Sequence, residues 1–340
     1  GTLNLKYFDA LFPLDPQSVL ALEVESLRAA NDDQALQQLS GDSEQLHQLL
    51  ERQHWQLICW KEAAQHLSYR RFFEITGLVG VRVEEDDVFR QTHRLIVELV
   101  KAGQVQGLRI DHVDGLADPA GYLDRLRSAV GEDIFITVEK ILGAGEDIPS
   151  RWPVAGTTGY EFISAMSNLF IDGDGLRDLQ KEYGLIDAQS ADFQENLRAA
   201  KHLMVERHFE GEVGRLTRLA SAVAPDIEHS KLTDAVRQLL IAFPVYRTYG
   251  HDGPLGDQDT AVLDTAIGQA RQHVGDQDGL DLLGRLMRGE IGAAAAFEFR
   301  TRFQQMSGPV MAKAMEDTLF YRQGGLLAAN EVGGDPGQQP

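Results

Sequence analysis

The spacing of apolar positions changes several times along the chain. Two short runs, Val105-Gln106-Gly107-Leu108-Arg109-Ile110-Asp111 and Asp133-Ile134-Phe135-Ile136-Thr137-Val138-Glu139, have strand length and each ends on an acid. Both predict buried strands. Between them, Pro119 to Val130 has helical spacing, so the stretch reads as a strand–helix–strand unit of a parallel sheet. Upstream, Asp86 to Ala102 predicts an amphipathic helix with Val88, Leu95, Ile96, Leu99 and Val100 on its apolar side. Gln17 to about Gln65 also has a helical pattern, broken around Asn31-Asp32-Asp33 and Gly41-Asp42. Lys6 to Pro16 reads as loop, Tyr69 to Phe73 as extended chain or loop, and Trp152 to Tyr160 as a turn-rich loop. From Glu161 to Arg302 there is almost no strand signal; helical spacing dominates. The end, Asn330 to Pro340, is rich in Gly and Pro.

Acids at the C-terminal tips of successive parallel strands occupy the place where α/β barrels put their chemistry. The expected fold class is therefore α/β: a partial (β/α)8 barrel holding middle strands only, with a large, mainly α-helical insertion. Residues 1–160 would supply the barrel portion, 161–305 the helical insertion, and 306–340 the return toward the barrel.

Charge narrows the possible partners. A formal charge of −20 opposes binding to nucleic acid or an anionic membrane, since either needs a basic surface. A neutral carbohydrate is compatible with it. Cys59, the one cysteine, lies in Trp55-Gln56-Leu57-Ile58-Cys59-Trp60 and predicts a buried thiol with no internal disulfide. No zinc-type Cys/His spacing, signal peptide or long apolar run is visible, so neither metal nor membrane is expected. A reducing, cytoplasmic setting agrees with that pattern.

The two acids carry the candidate chemistry. Arg109 and Asp111 are two apart, so on a strand they share a face. A guanidinium beside Asp111 would keep that carboxylate ionised, as a nucleophile requires. Glu139, on the neighbouring strand, would serve as acid and base. Adjacent strands lie about 4.8 Å apart, and retaining glycosidases hold their carboxyls roughly 5–5.5 Å apart. The alternative is an Arg–Asp structural ion pair with a surface glutamate. A Mg²⁺ site on the same acids is disfavoured, because Arg109 would repel the metal. His112 could hydrogen-bond a sugar hydroxyl, and Tyr69, Phe72, Phe73, Trp152 and Tyr160 could stack on sugar rings from loops beside the strand ends. Asp118 is better placed as the N-cap before Pro119, and Arg70 and Arg71 are expected to pair locally.

The run Gly107-Leu108-Arg109-Ile110-Asp111 with Glu139 resembles sequence regions of the α-amylase family of glycoside hydrolases. Further segments narrow the resemblance to its maltooligosyltrehalose synthase branch. They include Tyr69-Arg70-Arg71-Phe72-Phe73, Val138-Glu139-Lys140-Ile141-Leu142, Trp152-Pro153-Val154-Ala155-Gly156-Thr157-Thr158-Gly159-Tyr160 and Pro244-Val245-Tyr246-Arg247-Thr248-Tyr249. The resemblance implies a maltooligosaccharide substrate whose reducing-end α-1,4 linkage is rearranged to α,α-1,1 without a cofactor. It implies Asp111 as nucleophile, Glu139 as acid/base, and a third acid that has no counterpart in this chain. The chain thus reads as an internal segment, expected to be inactive or nearly so alone and to self-associate through unpaired strand edges. A non-catalytic sugar-binding piece and an amylase-type hydrolase remain open beside that reading.

Overall fold

The computed structural model describes residues 3–20, 37, 39–143, 145–186, 192–322, 327 and 330–334. They fall into two compact units, Gly1–Ala63 and Ala64–Pro340.

In the first unit, β1 (Asn4–Tyr7) and β2 (Ala10–Pro13) form an antiparallel hairpin, Asn4 opposite Pro13 and Tyr7 opposite Ala10. This corrects the loop expected there. Phe8 turns the chain at φ 51°, a left-handed position where Gly or Asn would have announced a hairpin. The helical expectation for Gln17–Gln65 holds only in part. It is met by α1 (Pro16–Leu20), α2 (Ser43–Glu51) and the short helical turns Trp60–Glu62 and Ala63–His66, while the stretch from Gln53 to Cys59 is not helical and residues 21–36 lie outside the described residues. Asp42 caps α2, its side chain accepting from the N–H groups of Glu44 and Gln45. Leu49 is buried against Leu3, Leu14, Leu39 and Leu46. Cys59 is exposed rather than buried, as are Leu57, Ile58 and Trp60 around it. Local hydrophobicity therefore misled at that thiol.

The first strands of the second unit form a short antiparallel hairpin of β3 (Arg71–Phe72) and β4 (Ile75–Val79). Then comes α3 (Asp86–Lys101), which buries Phe89 and Val100. The predicted strand–helix–strand follows as β5 (Gly107–Ile110), α4 (Pro119–Val130) and β6 (Phe135–Val138), the strands parallel with Ile110 opposite Val138. Local chemistry sets the bounds of α4. Asp118 accepts from the Gly121 N–H, Pro119 fills the first turn, and Gly131 leaves the helix at φ 95°. The turn-rich loop adds β7 (Gly156–Thr157), parallel to β6, giving the order β5-β6-β7. Burial alternates along β5 and β6. Leu108, Ile110, Ile136 and Val138 pack with Tyr122, Leu123 and Leu126 of α4, whereas Arg109 and Phe135 are exposed. The two strands are therefore covered on one face, not buried on both.

The rest is helical, as the lack of strand signal predicts: α5 (Tyr160–Asn168), α6 (Gly173–Ile186), α7 (Phe193–Leu203), α8 (Glu210–Val223), α9 (His229–Ala242), α10 (Asp257–Ala270), α11 (Gln277–Arg288) and α12 (Ala294–Ala314). A continuous apolar core joins α7 to α12, with Leu232, Leu239, Leu263, Leu283, Phe299 and Phe303 inaccessible to solvent. Helix α12 is buried around much of its circumference, the mark of a central helix. Lys201 on α7 is buried in that core and donates to the Phe243 carbonyl at the end of α9, 2.7 Å away. Burial lowers its pKa to about 7.

Candidate active site

Register brings the two predicted carboxylates together. Ile110 pairs with Val138, and the Glu139 N–H donates to the Ile110 carbonyl at 2.8 Å. Asp111 and Glu139 therefore leave adjacent strand tips, each one residue past the last paired position. Side-chain alternation gives them the open face they share with Arg109 and Thr137. Arg109 Nε donates to Asp111 Oδ1 at 2.6 Å, and both side chains are more than half exposed. The Asp111 carboxylate, foremost through that hydrogen bond, raises the Arg109 pKa.

Glu139 is half-buried and held on both oxygens. Its Oε2 accepts from the His112 backbone N–H at 2.8 Å, and its Oε1 faces the Tyr160 hydroxyl at 3.4 Å. The His112 contact depends on backbone shape: His112 is left-handed, φ 54°, which turns the chain after β5 and points its N–H at the neighbouring tip. Its ring packs against the touching rings of Phe72 and Phe73, with centroids 4.8 and 5.1 Å away. Burial, then the nearby Arg70 cation, lowers the His112 pKa to about 4, so the ring is neutral at pH 7.

The expected aromatic platforms separate into groups. Phe72 and Phe73 reach the site through His112, Phe72 exposed and Phe73 half-buried under the Lys313 ammonium. Tyr69 is exposed and donates to the Thr76 carbonyl at 2.6 Å, across the β3–β4 hairpin. Tyr160 meets Glu139 directly. Trp152 is 4% exposed and packs edge-on against Tyr249 in the core beneath the sheet, leaving no ring face for a sugar. An aromatic in a Pro/Gly loop carries no periodicity that would have revealed its burial. Arg71 makes no local ion pair: it donates to the Glu74 carbonyl at 3.2 Å, but its carboxylate partner is Glu212 at 2.9 Å, more than a hundred residues on, where it also donates to the His208 carbonyl.

Beneath the tips lies a charged network that strand and helix patterns did not reveal. Lys140, its side chain fully buried, pairs with Glu146 at 2.7 Å and Asp114 at 3.6 Å. The Asp114 carboxylate also accepts from the Tyr249 hydroxyl. Arg247 donates to the carbonyls of Asp114 and Leu116, both at 2.7 Å, and Gln305 donates to that of Gly115. Burial raises the Glu146 carboxyl pKa, with Lys140 pulling it back down, and burial lowers the Arg247 pKa. The one sequence signal was a pair of motif segments, Val138–Leu142 and Pro244–Tyr249, that set charge within apolar runs. A cavity of about 1,320 Å³ opens beside this network, lined by Ile141, Glu161, Tyr246 and Gly333 among others. Among the described residues, no group of three or more His, Cys, Asp or Glu is placed to hold a metal, and no helix is long and apolar enough to cross a membrane.

Arg-x-Asp at one parallel strand tip and Glu at the next define a strand-end carboxylate site of the kind the α-amylase resemblance implies. No protein-family model matches the chain. Two curated relatives from Mycobacterium tuberculosis strains, each described as a putative maltooligosyl trehalose synthase, are 35% identical over 295 residues, 84% of this chain and 36% of theirs. The solved maltooligosyltrehalose synthase of Arthrobacter ramosus superposes with a TM-score of 0.79 at 31% identity, covering 98% of this chain and 39% of that one. A hypothetical maltooligosyl trehalose synthase from Sulfolobus tokodaii gives 0.71 at 27% identity, covering 98% and 38%. Over nearly all of its own length the chain is similar to maltooligosyl trehalose synthases, and it spans a little over a third of the length of these relatives.

Proposed function

We propose that this chain carries the nucleophile and the acid/base of a retaining intramolecular transglucosylation on maltooligosaccharides. The observation that carries the reading is the pairing of adjacent strand tips, with Arg109 on Asp111 and the His112 N–H on Glu139. Asp111 attacks the anomeric carbon of the penultimate glucose, and the bond to the reducing-end glucose breaks as Glu139 protonates the departing oxygen. That glucose turns over in place. Its anomeric hydroxyl then attacks the glycosyl–Asp111 ester while Glu139 takes the proton, which forms an α,α-1,1 linkage and frees the carboxylate. Two displacements retain the α configuration.

In this reading the β5-β6-β7 sheet is a section of a (β/α)8 barrel, with its open face toward the barrel axis. Rearrangement outcompetes hydrolysis only where water is kept from the ester. Asp111 is 62% exposed, which favours a second outcome for the chain by itself: any glycosyl ester formed would hydrolyse.

Titration with maltopentaose, followed by NMR and by product analysis, tests the proposal. The expected result is saturable binding that shifts the amides of His112 and Glu139, with little or no turnover. No binding would overturn the proposal, and robust formation of non-reducing product would overturn the expectation that the chain alone is nearly inactive. In a full-length synthase carrying this segment, Asp111→Asn should abolish rearrangement with the fold intact; retained activity would remove Asp111 as nucleophile.

A further inference from the structure

Lys140 follows Glu139 directly, and on extended chain successive side chains point to opposite sides. Anchoring one therefore aims the other. The Lys140 anchor is fully buried and three-pronged: the Glu146 carboxylate at 2.7 Å, the Asp114 carboxylate at 3.6 Å and the Ile141 carbonyl at 2.9 Å. The rings of Tyr246 and Tyr249 lie 6.0 and 5.7 Å from its ammonium. Asp114 belongs to the short turn Val113–Gly115 that follows Asp111 and His112. One ammonium therefore joins the loop after β5 to the loop after β6. The same two loops are joined nearer the strand tips by the part-buried hydrogen bond from the His112 N–H to Glu139 Oε2.

We propose that Lys140 is a positioning residue: by bridging Asp114 and Glu146 beneath the strand tips, it holds Glu139 in place against the Asp111 side of the site. The proposal rests on the catalytic reading of those two acids, though its test does not. Charge at the bridge is uneven, with two carboxylates on one ammonium. Removing Lys140 takes the paired ammonium from both buried acids, leaving Asp114 with the Tyr249 hydroxyl and the Arg247 charge and Glu146 with the Gly143 N–H, and breaking a buried ion pair from one side is strongly unfavourable. The two loops would then separate. The hydrogen bond from His112 to Glu139 is the contact that would report it.

Amide hydrogen exchange at His112, read by NMR on the whole chain, is the test. Lys140→Met is expected to speed His112 exchange at least about tenfold, while the amides of Leu239 and Leu240 in α9 keep their rates, because local opening is separable from global unfolding. Glu139→Ala, which removes the acceptor, sets the ceiling for the effect. The variant Lys140→Met/Asp114→Asn/Glu146→Gln removes the bridge without stranding charge, so it keeps the test open if the single change unfolds the chain; the same acceleration is expected. Unchanged His112 exchange in the triple variant, or equal acceleration in α9, would overturn the proposal. If His112 responds as expected but maltopentaose does not bind the unmodified chain, the bridge stands and the catalytic reading falls.

Discussion

Phe303 and Asp111 mark two extremes of the Ala64–Pro340 unit. Phe303 has no accessible surface and lies against Phe243 and Phe299 in a core built from six helices' apolar stripes. Asp111 stands 62% exposed at a strand tip, held by one ion pair on the uncovered face of a three-stranded sheet. Helices α7 to α12 have turned most of their apolar surface to a shared interior, whereas the α5–α6 stretch leaves Phe162, Leu169, Phe170 and Ile186 exposed. The sheet has covered one face and left the other for polar groups. Stability and the proposed chemistry thus fall in different regions, joined where Arg247, Tyr249 and Gln305 grip the turn after β5.

The sharpest break in that comparison should come from the helical core. Phe303→Ala is expected to cost about 3–5 kcal/mol in urea unfolding, because a fully enclosed ring leaves a cavity. Asp111→Asn should leave the unfolding midpoint where it is. A large shift with Asp111→Asn, or none with Phe303→Ala, would erase the division between the regions.

The junction comes next. Arg247→Met strands the carbonyls of Asp114 and Leu116, and a loss of about 2–3 kcal/mol is expected from groups left unpaired. Exchange should quicken in the turn after β5 before it does in α9; the opposite order would place Arg247 in the helical core's account alone.

Per unit of pH, a smaller effect of at most about 1.4 kcal/mol should appear. His112 has a pKa of about 4 in the fold against 6.5 when free, so below 6.5 the unfolded chain binds a proton that the folded chain refuses. Its contribution to stability is full above pH 6.5, declines as pH falls, and stops declining below about 4. His112→Asn removes the titration while tolerating the left-handed backbone, and thermal unfolding of the variant should show a shallower slope across that window. Parallel slopes would mean that the ring is not buried. Smallest of all, Asp118→Ala should lower stability by about 1 kcal/mol through the lost cap on α4.

What could be read from the sequence follows the same division. Helix α4 was legible from end to end because Asp118-Pro119 and Gly131 state its bounds chemically. The strand tips were legible because a two-residue period and a terminal acid need no distant partner. What escaped depended on distance along the chain. Trp152 is buried by Tyr249, Arg71 is paired by Glu212, and the charges around Lys140 are gathered from four separate segments. Cys59 failed for the opposite reason: its neighbours are apolar, yet they too are exposed. Phe8 hid a hairpin because its positive φ is rare for an aromatic residue.

The central claim is that Asp111 is the nucleophile of a sugar-transferring site on the open sheet face. It is tested most directly by grafting this chain in place of the matching segment of the Arthrobacter ramosus synthase. The graft is treated with a fluorinated maltosyl fluoride that traps the glycosyl ester, then digested and read by mass spectrometry. The predicted result is a maltosyl adduct on the peptide bearing Asp111, absent from the Asp111→Asn graft. An adduct on a different carboxylate, or trehalose-type product formed undiminished by Asp111→Asn, would contradict it.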